Sequence, residues 1–285
     1  MNSAKTVFLC AINNVLSGAC NEDCKFCTQS VRYKAAIERY TFKAEEQVLQ
    51  EAREAAANGA LGYCLVTAGK GLDDRMTDTI ARLARRLSTE LPNLRLIACN
   101  GTAGEEQLRY LKTHGIASYN HNLETSERYY PSICTTHSWQ ERYATCEAVR
   151  SVGLSLCSGG IFGMGESPED QESLLQSLCT LNPDSVPLNF YIPNPALPIP
   201  ERTIDREGAL AVIRRTRQLL PDLPLLMVAG GREALFGGAE QSMFEAGANA
   251  IVIGNYLTTP GEAPDRDRQR LRELGYTIAT ECHGT

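Results

Sequence analysis

The 285-residue sequence predicts an α/β protein, a single (β/α)8 barrel of the TIM type spanning residues 1–285. Three observations predict it. Short apolar runs alternate with longer helical stretches about eight times, which is enough right-handed crossover units to close a barrel. No linker or low-complexity stretch divides the chain. The first apolar run leads into a cysteine-rich loop, where an open dinucleotide-binding sheet would carry Gly-x-Gly-x-x-Gly.

The apolar runs at 8–16, 62–67, 94–99, 116–123, 154–162, 185–191, 225–228 and 250–253 read as buried strands. The helical patterns between them have marked ends. That at 41–58 closes at Gly59 and that at 107–114 closes at Gly115. Ser138 and Glu141 have capping-box spacing ahead of a helix that closes near Gly153. Ser167 precedes a proline at the first helical position, Pro168.

Composition narrows the function. With 28 Lys and Arg against 34 Asp and Glu the net charge is −6, which excludes a nucleic-acid binder held by a basic face. The short apolar patch at 7–9 is interrupted by Asn13 and Asn14 before a signal-peptide core forms. No run approaches the ~18 apolar residues of a membrane span, so a cytoplasmic protein without membrane partners is expected. Eleven cysteines in such a chain point to metal, catalysis or packing rather than to disulfides.

Residues 20–27 read Cys-Asn-Glu-Asp-Cys-Lys-Phe-Cys, so Cys20, Cys24 and Cys27 follow the first strand in a loop of about 20–34. Three thiolates this close can converge on one metal. The spacing alone fits a zinc loop completed from afar, a chance cluster, or a 4Fe-4S cluster with one iron left free for a small molecule. Cys64, Cys99 and Cys157 lie in or at the end of separate strands and, taken alone, read as small buried hydrophobes. Taken alone, Arg142 reads as a solvated helix residue, and His114, His137 and His283 as solvated side chains, while His121 sits in a strand.

The cysteine loop, with Phe26 before its last cysteine, resembles the signature of radical S-adenosylmethionine (SAM) enzymes. The segments at 27–30, 119–125, 135–142, 157–166 and 229–233 resemble, in order, the motifs of the biotin synthase family within that group, so the likeness runs from about 20 to 257. The resemblance implies that Cys20, Cys24 and Cys27 hold a 4Fe-4S cluster whose free iron chelates SAM. It places Asn122 and Glu124 at the SAM ribose, with Glu124 where the family usually has Asp, and Arg142 near the SAM carboxylate. Asn189, and also Asn122, match contacts to the cyclic urea of the substrate.

Cys64, Cys99 and Cys157 match ligands of an auxiliary iron-sulfur cluster, 2Fe-2S or a variant type, that donates sulfur. The family's usual fourth ligand is an arginine, and Met227 stands at that position, since Arg232 matches a separate arginine. Cys134 is the expected replacement, ahead of Cys10 and Cys146, with Cys179 and Cys282 structural. The implied reaction converts dethiobiotin to biotin with two SAM molecules, an electron donor such as flavodoxin or ferredoxin, and a homodimeric enzyme. The rival readings are another radical SAM enzyme of the same subgroup, and a non-catalytic iron-sulfur or zinc redox sensor.

Overall fold

The structure, a computed structural model, describes residues 6–281; Cys282 and His283 lie outside them. In chain order the elements are β1 (Thr6–Leu16), α1 (Glu45–Ala57), β2 (Gly62–Thr67), α2 (Asp74–Glu90), β3 (Arg95–Cys99), α3 (Glu105–Thr113), β4 (Ser118–Asn120), α4 (Tyr130–Ile133), α5 (Trp139–Ser151), β5 (Ser155–Cys157) and β6 (Gly160–Phe162). There follow α6 (Pro168–Leu181), β7 (Ser185–Phe190), α7 (Arg206–Leu219), β8 (Leu225–Val228), α8 (Arg232–Phe236), α9 (Glu240–Glu245), β9 (Ala250–Ile253), α10 (Pro264–Glu273) and β10 (Thr277–Ile278).

The strands pair in parallel in the order β1, β2, β3, β4, β5, β7, β8, β9, and β9 pairs back onto β1, which closes a TIM-type (β/α)8 barrel. The expected strand at 154–162 is divided into β5 and β6. Gly159 passes so close to β7 that a Cβ there would meet the Pro187 carbonyl oxygen at 1.9 Å, and β6 then resumes pairing with β7 through Gly160, Ile161 and Phe162. β4 is also shorter than its apolar run, although the chain beyond it still bonds sideways, from the His121 N–H to the Cys157 carbonyl and from the Leu123 N–H to the Gly159 carbonyl.

Helix α2 shows how the outer ring forms. Asp73 caps it by accepting from the Met76 N–H at 2.7 Å, and Thr77, Ile80, Ala81, Ala84 and Leu87 make one buried stripe at helical spacing. Alternation along β1 divides the core in two. Val7, Leu9 and Val15 join the layer between sheet and helices, while Cys10 belongs to a separate inner group with Met227, Ala229, Ala250 and Val252. The capping box expected at Ser138 is present, and the helix start expected at Ser167 is closed by a capping box with Asp170. No helix among the described residues is long and apolar enough to cross a membrane.

Candidate active site

The loop after β1 is fastened at many points. Gly18 turns with φ +77°, and the Gln29 side-chain oxygen accepts from its N–H at 3.2 Å. The Val31 N–H returns to the Cys20 carbonyl at 2.8 Å, and the Cys27 N–H bonds the Cys24 carbonyl at 3.0 Å. Asp23 accepts from the N–H and hydroxyl of both Thr135 and Thr136, which holds its carboxyl well below the usual range despite burial. Cys20 and Cys24 are buried, and Cys27 is raised to about 11 by burial first, with Cys20 and Glu124 adding to it. Unmetallated thiols here stay protonated, so a bound metal must supply the stabilisation of their thiolates.

Cys134 does not join the barrel thiols it was expected to complete. Its sulfur accepts from the Cys24 thiol at 3.6 Å and lies 3.4 Å from His137 Nδ1, so that Cys24, Cys134 and His137 form one buried group. The Cys24 hydrogen bond is the largest cause bringing Cys134 down to about 4. Sequence proximity to the SAM motif misplaced Cys134, because the Asp23 anchor draws the segment after α4 onto the cysteine loop. His137 is likewise not solvated. It is buried with Nδ1 2.5 Å from a Glu22 carboxylate oxygen.

A cavity of about 490 Å3 fills the barrel lumen. Cys27, Asn122, Glu124 and Asn189 line it together with Cys64, Cys99 and Cys157, each of the last three from a different strand. Cys64 is raised well above the usual thiol value, through its hydrogen bond with Cys99, then burial, then the charges of Cys99, Cys157 and Cys10. Burial raises Cys157 to about 12, against a hydrogen bond with the Ser185 hydroxyl at 3.4 Å that lowers it where the sulfur accepts.

At one side of the lumen, Arg142 is largely withdrawn from solvent, with 12% of its side chain exposed, rather than solvated. Its guanidinium donates to the Tyr130 hydroxyl at 2.7 Å and to the Asn122 carbonyl at 2.8 Å, and lies 3.6 Å from a Glu124 carboxylate oxygen. Glu124 has φ +68°, a conformation that costs a non-glycine residue energy, and its Oε2 is buried without a partner. The Asn122 side chain accepts from the Gly159 N–H at 3.1 Å. Asn189 donates to the Gly160 carbonyl at 3.2 Å and accepts from the Gly230 N–H at 3.0 Å, leaving one N–H and one lone pair for a ligand. Asn120 was missed as a site residue. It lines the cavity with a buried, unpartnered Oδ1, and its position two residues before Asn122 is the signal that places both in one motif. Cys146 and Cys179 are structural, bonding the carbonyls of His121 and Leu219.

The Radical SAM superfamily model matches residues 14–178, and the Biotin and Thiamin Synthesis associated domain matches 187–277. The chain is 66% identical over 282 residues to the biotin synthase of a Sulfurovum species, covering 99% of both chains. It is 54% identical to that of a Nitratiruptor species, covering 97% of this chain and 99% of the relative. The chain belongs to the biotin synthase family. A biotin synthase family member is an enzyme, and the radical SAM family implies a 4Fe-4S cluster and SAM, to which biotin synthases add an auxiliary cluster. Among solved structures, methylornithine synthase has a TM-score of 0.81 at 20% identity, covering 96% of this chain and 84% of that one. The FeFe-hydrogenase maturase of Carboxydothermus hydrogenoformans has a TM-score of 0.83 at 13% identity, covering 97% and 68%. Both share the fold.

The residues fit these groups. Soft thiol donors turned from three strands into one mostly apolar lumen suit iron and sulfide, and one loop thiol, Cys27, lines the same space. The orphaned Glu124 Oε2 and Asn120 Oδ1 are acceptors awaiting hydroxyl or N–H donors of a ligand.

Proposed function

We propose that the chain converts dethiobiotin to biotin by radical sulfur insertion, with the lumen as its active site. The observation that carries this is the meeting, in one cavity, of a loop thiol (Cys27), three strand thiols (Cys64, Cys99, Cys157) and polar groups suited to a nucleoside and a cyclic urea (Asn122, Glu124, Asn189). Cys20, Cys24 and Cys27 would hold the 4Fe-4S cluster, and Cys64, Cys99 and Cys157 the auxiliary one. When bound, the first supplies the electron that cleaves SAM to a hydrogen-abstracting 5′-deoxyadenosyl radical, and the second supplies the sulfur.

The chain's own residues position and shield. Arg142 holds the Asn122 backbone and faces the Glu124 carboxylate, so both residues enter the lumen preset for ribose hydroxyls, with the guanidinium close by for a carboxylate. Asn189 is clamped between β6 and the turn after β8, so its free donor and acceptor sites are fixed in direction before a urea arrives. Phe26, Ile161, Phe190 and Leu197 line the lumen and keep water from a reactive radical. An electron donor such as flavodoxin or ferredoxin completes the proposed cycle.

The test is a comparison of the parent and Cys64→Ala proteins, each reconstituted anaerobically and given dethiobiotin, SAM and a reductant. The parent is expected to make biotin and 5′-deoxyadenosine. Cys64→Ala is expected to keep deoxyadenosine and lose biotin, and biotin at the parental level from that variant would refute the assignment.

A further inference from the structure

Met227 stands where an arginine is usual and Cys134 is drawn onto the cysteine loop, so neither supplies a thiolate to the three strand thiols. The lumen offers another thiol. Cys10 on β1 lines the same cavity as Cys64, Cys99 and Cys157, and is buried in the inner group with Met227 itself. In the sheet Cys10 is level with Gly62 on β2, and Cys64 is the next residue along β2 on the same face. The Cys10 sulfur occupies the space that a side chain at 62 would take, since a Cβ on Gly62 would approach it to 2.8 Å. Two residues along a strand span about 6.6 Å, the scale on which the ligands of one iron-sulfur cluster are spread. On the other side, Cys10 is level with Val252 on β9, and Met227 on β8 is level with Ala250 on that same strand. The thiol thus enters the lumen two strands beyond Met227, with β9 between them.

We propose that Cys10 is the fourth protein ligand of the auxiliary cluster, giving a set of four thiolates from β1, β2, β3 and β5. This rests on the lumen being a cluster site, as proposed above. Met227 is then an apolar neighbour rather than a ligand, because a neutral thioether competes poorly with a thiolate for iron. A thiolate in place of a guanidinium makes the surroundings about two unit charges more negative, which favours the oxidised cluster and lowers its reduction potential.

The test uses the full-length chain with Cys20, Cys24 and Cys27 all changed to Ala, so that iron and acid-labile sulfide bound after anaerobic reconstitution report the lumen alone. In this background Cys10→Ala is expected to lose more than half of the bound iron and sulfide. Cys10→Ser, which preserves size, is expected to shift the charge-transfer absorption to shorter wavelength as oxygen replaces sulfur. Gly62→Ala leaves every thiol in the chain but crowds the Cys10 sulfur, and is expected to lower the iron as well. Cys10→Ala and Cys10→Ser proteins with the parental iron content and spectrum would overturn the proposal. Should Cys10→Ala fail to fold by circular dichroism, the Cys10→Ser spectrum decides alone. Cys64→Ala in the same background serves as the separate control. Undiminished iron in that variant refutes the lumen as a cluster site, whereas loss with Cys64→Ala but not with the Cys10 variants refutes Cys10 only.

Discussion

Cys24 and Cys134 lie 3.6 Å apart, and substitution separates their roles. Cys24→Ala removes a proposed ligand of the SAM-bearing cluster, and deoxyadenosine formation is expected to fall to background while the barrel stays folded. Cys134→Ala is expected to leave the spectrum of the lumen cluster unchanged, read in protein lacking the three loop cysteines, because its contacts are with Cys24, Thr136 and His137. Asn189 offers a substrate-side contrast. Asn189→Ala strands the Gly160 carbonyl and Gly230 N–H along with the urea contacts, and a buried unpaired polar group costs about 1–3 kcal/mol. Isothermal titration is expected to show weakened dethiobiotin binding with SAM binding less affected, and equal loss of both contradicts the role.

At the scale of elements, the caps and turns around the site carry stability that depends on pH. Asp170, in the first turn of α6, accepts from the hydroxyls of Ser126 at 2.6 Å and Ser167 at 2.9 Å and pairs with Arg128 at 2.7 Å, tying the stretch after β4 to the helix after β6. Burial by itself would raise its pKa, but the hydrogen bonds from Ser126 and Ser167, with Arg128, hold it below the ordinary 3.8. Arg128 is largely exposed, so the serine bonds contribute more than the ion pair. A depressed carboxyl stabilises the fold above its unfolded value and loses that contribution as pH falls through the folded one. Asp170→Asn is therefore expected to cost about 1.5–3 kcal/mol at pH 7 by urea unfolding. The difference from the parent should shrink below pH 3.8, and a difference that stays constant down to pH 2 contradicts the linkage. The start of α6 was legible in the sequence because its signals, Ser167 and Pro168, are local. The break between β5 and β6 was not, since it depends on the Pro187 carbonyl pressing against Gly159 from a neighbouring strand.

For the whole molecule, the closed barrel could be read from eight apolar runs, but what fills and fastens it could not. Arg142 has polar neighbours in sequence and is nevertheless half-buried, held by Tyr130 of α4 and the Asn122 carbonyl after β4. Cys10 and Met227 lie 217 positions apart and meet only when β9 closes on β1. Near that closure Arg232 makes a buried bidentate pair with Asp267 at 2.8 Å on both arms, joining α8 to α10. Removing one partner of such a pair leaves an uncompensated buried charge, so Asp267→Ala is expected to lower stability by about 3–5 kcal/mol in urea unfolding, and a loss under 1 kcal/mol would show that the pair contributes little. The central claim, that thiols facing the lumen hold the sulfur that enters the product, has a direct measurement. The protein is reconstituted anaerobically with iron and heavy-isotope sulfide, freed of excess sulfide, and given dethiobiotin, SAM and a reductant, and the biotin is weighed by mass spectrometry. The expected result is biotin carrying the heavy sulfur, with two deoxyadenosines formed for each; biotin carrying only light sulfur, or SAM cleavage with no biotin at all, would contradict it.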